Sequence, residues 1–342
     1  MPNYSHFLNM VDDFGILQFS KQDLPDPYSG YTLDDNARGL LVSLSMGESA
    51  YFYALRFLNY LEKAQRPDGS WSNFYLAGKY YSHFDSEDSI GRALLACSAA
   101  TCSDWPDLAC QAGKILINQF PVVKTFTSPR AIAYALLGLC KGKMPCPDKF
   151  LHELINLLAA YLIGLYARTR SRDWMWFENY ITYCNGILPH ALFSVYAFNG
   201  DKKCLKIAHE SLNFLVDNLF SQGYLNIVGN QGWYHRDGQL PRFDQQPVDA
   251  ASIAFACWEA FQNLGKSDYI ELAHLAHNWY RGRNLHGLSL YNEVSGGCHD
   301  ALTEDGLNLN QGAEAVLSLL LTDILMTGSI SRELPQVSWG QA

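Results

Sequence analysis

The chain has 342 residues, of which 48% are hydrophobic and 17% charged, with a formal net charge of −9. So large an apolar share excludes a disordered chain. The acidic balance, with no block of Lys or Arg, argues against nucleic acid or an anionic membrane surface as partner.

Nearly every apolar stretch follows a helical period, and strand-like alternation is scarce. In chain order, a short helix over 3–13 is followed by 34–46, 49–65, 86–100, 105–120, 128–140, 148–169, 185–198, 201–220, 247–261, 267–282 and 310–325. These segments are of two kinds. Those at 34, 86, 128, 185, 247 and 310 are rich in small residues and almost free of charge after their first turn, as in "SPRAIAYALLGLC". A helix apolar all round is buried all round. The others, such as "DKKCLKIAHESLNFLVDNLF", carry charges on one face and keep one wet side.

The two kinds alternate, six of each. That arithmetic predicts an all-α (α/α)6 toroid spanning 1–342 as a single domain. Six parallel inner helices form a ring, and six outer helices run back over them. No hairpin buries its own face, so the ring must close. Links from inner to outer helices are short. Links from outer to inner helices are long, at roughly 12–33, 66–85, 170–184, 221–246 and 283–309, with only 121–127 brief. Long loops in a compact domain are usually functional. They gather at the end where the inner helices begin, which is the expected working face.

The residues converging there are mostly acids and amides. A structural explanation comes first: Asp34, Ser86, Ser128 and Asn185 suit helix N-caps, and Arg38 and Arg92 stand at ion-pair spacing from Asp34 and Asp88. Three features exceed it. "LDDN" and "SED" bring second acids, Asp35 and Asp88. Glu314 and Asp249 lie inside core helices, where a charge needs a partner or a polar cavity. Trp174, Trp176, Tyr180, Trp233 and Tyr234 sit in loops beside the acids. Carboxylates on a floor with aromatics on a rim suit a sugar. Hydrolysis of a glycoside needs two carboxyl groups, one to donate a proton and one to activate water or attack.

Other chemistries find no support. There is no P-loop, no GxGxxG, no GxSxG elbow, and "HELIN" is not HExxH. His83, His190, His235 and His299 lack metal-ligand spacing, and His274 and His277 are expected to be solvated on an outer helix. No metal and no cofactor are expected. Nine scattered cysteines with no CxxC read as reduced thiols of a cytoplasmic protein. The N-terminus shows no signal peptide pattern. The apolar runs at Leu154–Ala167 and Ala315–Met326 are broken by polar residues and too short to span a bilayer, so no membrane span is expected.

"GYTLDDNARGLL", "AQRPDGSWSNF", "SEDSIGRALLA", "WFENYITYCNGILPHAL", "DQQPVDAASI" and "GGCHDALTEDGLNLNQGAEAVLSLLL" together resemble a family of (α/α)6-toroid, glycoside hydrolase-like proteins. Its members occur alone or as C-terminal regions fused to glycosyltransferases, and beside mannoside-phosphorylase-like enzymes. The likeness runs from about Val11 to Thr327. It implies a toroid that acts on, or holds, a glycan, and it places the family's motif acids on Asp34, Asp35, Glu87, Asp88, Glu178, Asp249, Asp300 and Glu314. Two positions depart from the pattern: Ala315 stands where a serine is expected, and Cys184 where an acid is.

The leading expectation is a glycoside hydrolase acting on a mannose- or glucose-containing oligosaccharide. Asp35 and Asp249 are then the catalytic pair and Glu178 the third candidate. Asp34, Arg38, Glu87, Asp88, Arg92, Trp176, Tyr180, His190, Trp233, His235, Gln246, His299, Asp300, Asn310, Gln311 and Glu314 are expected to bind substrate. The first alternative is a sugar epimerase of the acylglucosamine-epimerase type, using His190 and His299 for proton transfer. The second is a non-catalytic glycan-binding partner of a glycosyltransferase.

Overall fold

The computed structural model describes residues 2–328. Its helices are α1 (Ser5–Asn9), α2 (Leu33–Leu44), α3 (Tyr51–Ala64), α4 (Glu87–Ala100), α5 (Pro106–Val123), α6 (Pro129–Lys141), α7 (Asp148–Thr169), α8 (Ile187–Asn199), α9 (Lys202–Leu219), α10 (Pro247–Leu264), α11 (Ser267–Trp279) and α12 (Ala313–Thr327). The even-numbered helices form the inner ring. Each packs on its even neighbours, and α12 closes onto α2. The odd-numbered helices form the outer layer.

Local chemistry sets where the inner helices begin. The side chains of Thr32, Ser86 and Ser128 accept the N–H groups of Asp35, Ser89 and Ala131, satisfying donors that have no partner within the helix. Pro129 and Pro247 occupy the first helical position, where their missing N–H costs nothing. α8 and α10 stop at Gly200 and Gly265, both left-handed. Asp34 and Asn185, expected as caps, do not cap: Thr32 and Gly186 hold those positions.

The ring is tight because its helices carry small residues at their contacts. A side chain on Gly91 would meet the backbone of Ala131 at 2.8 Å, so α4 and α6 pack almost backbone to backbone. Between the layers lie Phe57, Trp71, Phe193, Trp279 and Tyr280, all fully buried. Each such side chain contributes about 1.5–3 kcal/mol by leaving water.

α7 is 22 residues long and, by length and composition, apolar enough to cross a membrane. This corrects the expectation drawn from its shorter apolar run. In the ring its Leu154, Ile155, Leu158, Leu162 and Tyr166 are buried, and it packs on α6, α8 and α9.

The links behave as their lengths foretold, with one addition. Those at the inner-helix start carry four small antiparallel sheets. Tyr31–Thr32, Phe74–Leu76 and Lys79–Tyr81 form one, and Tyr180–Ile181 with Tyr234–His235 another. Ser20–Lys21 pairs with Leu24–Pro25, and Ala301–Thr303 with Gly306–Asn308. Strands of two or three residues are too short to show a period of two in sequence.

Candidate active site

The first turns of the inner helices meet on the ring axis, and their charged side chains interlock there. Arg38 of α2 is buried. Its Nη1 donates to Asp35 Oδ1 at 3.0 Å and its Nη2 to Glu314 Oε2 of α12 at 2.8 Å. Arg92 of α4 donates to Asp34 Oδ1 at 2.7 Å, and its guanidinium lies over the Tyr134 ring at 4.7 Å. Arg130 of α6 pairs with Glu178 at 3.0 Å and donates to the Tyr183 carbonyl at 2.7 Å. The short-range pairs expected from sequence, Arg38 with Asp34 and Arg92 with Asp88, are not formed. Asp88 instead accepts the hydroxyls of Ser128 and Tyr183. An arginine of this length reaches the adjacent inner helix, where a partly exposed carboxylate pairs with the buried guanidinium.

The four carboxyls nearest the axis differ in surroundings. Asp249, in the first turn of α10, is 3% exposed, and its Oδ1 accepts the Cys184 N–H. Burial, reinforced by the charge of Glu314, pushes its carboxyl up to about 8, against the pull of the Cys184 N–H and Arg130. Asp35 is pushed up to about 6 by burial, a rise that Arg38 opposes and Glu314 supports. Asp300, whose Oδ1 accepts the Gly312 N–H, is likewise raised to about 6, by burial first and then by Glu314. Glu314 therefore acts on all three. Its own side chain is 45% exposed, so it faces solvent while Arg38 fixes it.

Several expected site residues stand elsewhere. Both oxygens of Asp35 are occupied, Oδ1 by Arg38 and Oδ2 by the Thr32 hydroxyl at 2.7 Å, and the residue is 4% exposed. It holds Arg38 rather than facing a substrate. Trp176 is 0% exposed and belongs to the core, as does Trp174, so neither is a rim aromatic. Gln311 is buried as well: its side chain accepts from Ser295 and its carbonyl from His6. Asn310 accepts the Gln22 N–H and so fixes the first hairpin. Glu87 accepts the N–H groups of Thr127 and Ser128 and so holds the brief link before α6. Gln246, half-buried, lends its carbonyl to the Asp249 N–H. His299 is half-buried with Nδ1 on the Leu309 carbonyl. His277 is not solvated but contacts Asp323 at 2.6 Å.

The rim keeps Tyr180, Trp233 and His235. Tyr180 is exposed and pairs with His235 across a two-strand sheet. Trp233 adopts φ +55° next to the Tyr183 ring, and Cys184 adopts φ +48° against Asp249. Non-glycine residues held in this region cluster at functional sites. Sequence reasoning missed Tyr183 and Thr32, which carry no charge to mark them. It also missed Arg130 as the partner that ties Glu178 to the ring.

His190 is the largest displacement. It lies not at the mouth but in the wall of an axial cavity of about 820 Å³. The cavity runs from Arg38, Arg92, Tyr134 and Cys184 to the exposed Glu48, Asp104, Lys143 and Gln262 at the short-link end. The two arginines thus separate it from the carboxylates of the mouth; Glu48 and Asp104 line its short-link end, and a third acid, Glu259, lies further in. That residue binds Lys141 at 2.8 Å and lies 3.6 Å from His190 Nε2. Burial holds the imidazole below its usual range. The lone acid in "CWEAF" was the sequence signal for Glu259. Among the described residues no group of three or more His, Cys, Asp or Glu could hold a metal ion.

Comparison with solved structures finds the same fold in other proteins. A sugar epimerase from a ruminal bacterium superposes with a TM-score of 0.71 at 11% identity, covering 95% of each chain. The fold is the (α/α)6 toroid. A D-mannose isomerase matches with a TM-score of 0.70 at 13% identity over 94% of each chain. A GH76 α-mannanase of Bacteroides thetaiotaomicron matches with 0.60 at 12% identity over 88% of this chain and 87% of its own. No family model matches the sequence, and no curated protein does. At these identities the toroid shares a fold with both epimerases and hydrolases.

Proposed function

We propose that this toroid is a glycoside hydrolase acting on an oligosaccharide at the long-link end of the ring. The observation that carries the reading is the contrast between Asp249 and Glu314 on the adjacent helices α10 and α12. Asp249 keeps its proton at neutral pH, with its carboxyl raised to about 8, and so suits the general acid. Glu314 is half-exposed and held by Arg38, and so suits the carboxylate that activates water or attacks the sugar. Asp35 positions Arg38, while Tyr180 and Trp233 offer faces for sugar rings. The test is product release from manno- and gluco-oligosaccharides, abolished in Asp249→Asn and in Glu314→Gln. Full turnover in either folded variant rejects the assignment.

A sugar epimerase is the second reading, favoured by His190 beside Glu259 and by the fold shared with epimerases. Proton transfer at both faces of a carbon calls for a second base, and among the described residues no other histidine lines the cavity. Interconversion of free monosaccharides, lost in His190→Ala, selects this reading over hydrolysis. Oligosaccharide binding without turnover selects a glycan-holding partner, as for a glycosyltransferase. We further propose a reducing compartment such as the cytoplasm, supported by nine cysteines with no disulfide among them.

A further inference from the structure

We propose that the substrate is a glycan chain lying across the mouth of the ring, gripped on both sides of the carboxyls, so that cleavage falls inside the chain. This deepens the hydrolase reading and rests on it for the place of the site.

The observation is a matched pair of small sheets. In the first, Tyr31 pairs with Tyr75 and Tyr75 with Tyr80, so the three share one face. That face packs on Phe14 and on Tyr60 of the outer helix α3. Thr32, Phe74 and Tyr81 are register partners on the opposite face. From there Thr32 reaches Asp35 in the first turn of α2. Phe84 stands edge-on to Phe74, with 5.4 Å between ring centroids, and is 54% exposed. The second sheet is built the same way. Ile181 is fully buried, and its partner Tyr234 packs on Trp174 and donates its hydroxyl to Asn218 of the outer helix α9. On the opposite face Tyr180 and His235 are exposed. Each sheet thus turns one face to the outer layer and leaves an aromatic face to solvent.

The two sheets stand on opposite sides of the mouth. The first joins the links that enter α2 and α4, and the second those that enter α8 and α10. In a closed ring of six these pairs are diametrically opposed. With neighbouring helices about 8–10 Å apart, opposite sides of the ring are separated by at least about 14 Å. A single sugar residue does not bridge that gap, and a chain of several does. The carboxyls of Asp249 and Glu314 lie between the two faces. Exposed apolar surface beside a site marks where a ligand rests. A pyranose suits it, with its C–H face on the aromatic ring and its hydroxyls free for polar partners. Grip on both sides holds chain beyond each end of the scissile bond, which an internal cut requires.

The test uses the parent protein and the Asp249→Asn variant, which holds substrate uncut. Manno- and gluco-oligosaccharides from disaccharide to octasaccharide are titrated calorimetrically into the variant. In one of the two series affinity is expected to rise about tenfold or more with length. Phe84→Ala and Tyr81→Ala, each added to that variant, are expected to weaken octasaccharide binding about three- to tenfold and to leave the disaccharide unchanged. Tyr180→Ala, on the other side, is expected to weaken the octasaccharide as well. The parent is expected to cut the octasaccharide into fragments larger than a monosaccharide. Affinity independent of length, or octasaccharide binding untouched by the three substitutions, overturns the proposal even where the parent cleaves. Length-dependent binding that the three substitutions weaken, without cleavage by the parent, rejects the hydrolase reading and upholds the two-sided grip. Release of monosaccharide alone overturns the internal cut. A Phe84→Ala effect confined to self-association in sedimentation velocity assigns that face to a second copy and overturns the grip.

Discussion

Arg38 donates to Glu314 across 2.8 Å, and these two residues belong to the first and the last inner helix of the ring. The bond therefore bridges the seam where the toroid closes. It also fixes a half-exposed carboxylate, and it does so with a guanidinium buried at the head of the axial cavity. Closure of the fold and orientation of the proposed base or nucleophile, Glu314, depend on the same side chain.

Removing that guanidinium exposes both roles. Arg38→Met leaves Asp35 buried without its cation, and breaking a buried pair of this kind costs about 3 kcal/mol. The unfolding free energy from urea titration is expected to fall by that amount, with a lower midpoint, and sugar release to fall beyond what the fraction unfolded explains. A midpoint equal to the parent's contradicts the seam argument.

Asp249→Asn preserves an acceptor for the Cys184 N–H but cannot give up a proton. A folded variant with kcat/KM lower by about 10²–10⁴-fold is expected, the usual contribution of a general acid. An aryl glycoside whose leaving group needs no protonation is expected to recover part of the rate.

The same carboxyl makes both activity and stability depend on pH. Its value in the fold, about 8, lies above the ordinary 3.8, so folding favours the protonated form. The stability it contributes is complete below about pH 4 and is lost as pH rises through 8. Asp35, raised to about 6, loses its share earlier, between about 4 and 6. Thermal melts are expected to fall relative to Asp249→Asn as pH rises from 5 to 9, and kcat/KM to drop with an alkaline limb near 8. A flat difference between the two proteins across that range contradicts the buried, protonated assignment.

The aromatic residues divide by burial. Trp176→Ala opens a core cavity and is expected to cost about 3–5 kcal/mol, with activity following the folded fraction. Trp233→Ala, on the rim, is expected to raise KM with little change in the urea midpoint. The reverse outcome in both variants places the sugar surface elsewhere.

Gly186→Ala tests the ring contact. A Cβ there would stand 2.1 Å from the Ser252 carbonyl, so α8 must move away from α10. Overpacking of this kind costs about 1–3 kcal/mol and is read as a lower unfolding midpoint.

What the sequence determined by itself was periodic or local. Charge-free helices alternating with amphipathic ones announce inner and outer layers, because burial on all sides permits no charge. Ser86 and Ser128 read correctly as caps because a cap involves residues three apart. Link length marked the end of the ring that carries the sheets and the acids. The tertiary structure decided the partners. Arg38 finds Glu314 and Arg92 finds Asp34 at sequence separations of 276 and 58, where local spacing favoured Asp34 and Asp88. It also decided which side of a loop residue faces inward, so Trp176 is core while Tyr180 is rim. His190 and Glu259 meet because two inner helices pass each other at different depths. Sequence periodicity encodes which face of a helix is buried, but not its height along a ring axis, nor which distant charge waits at that height.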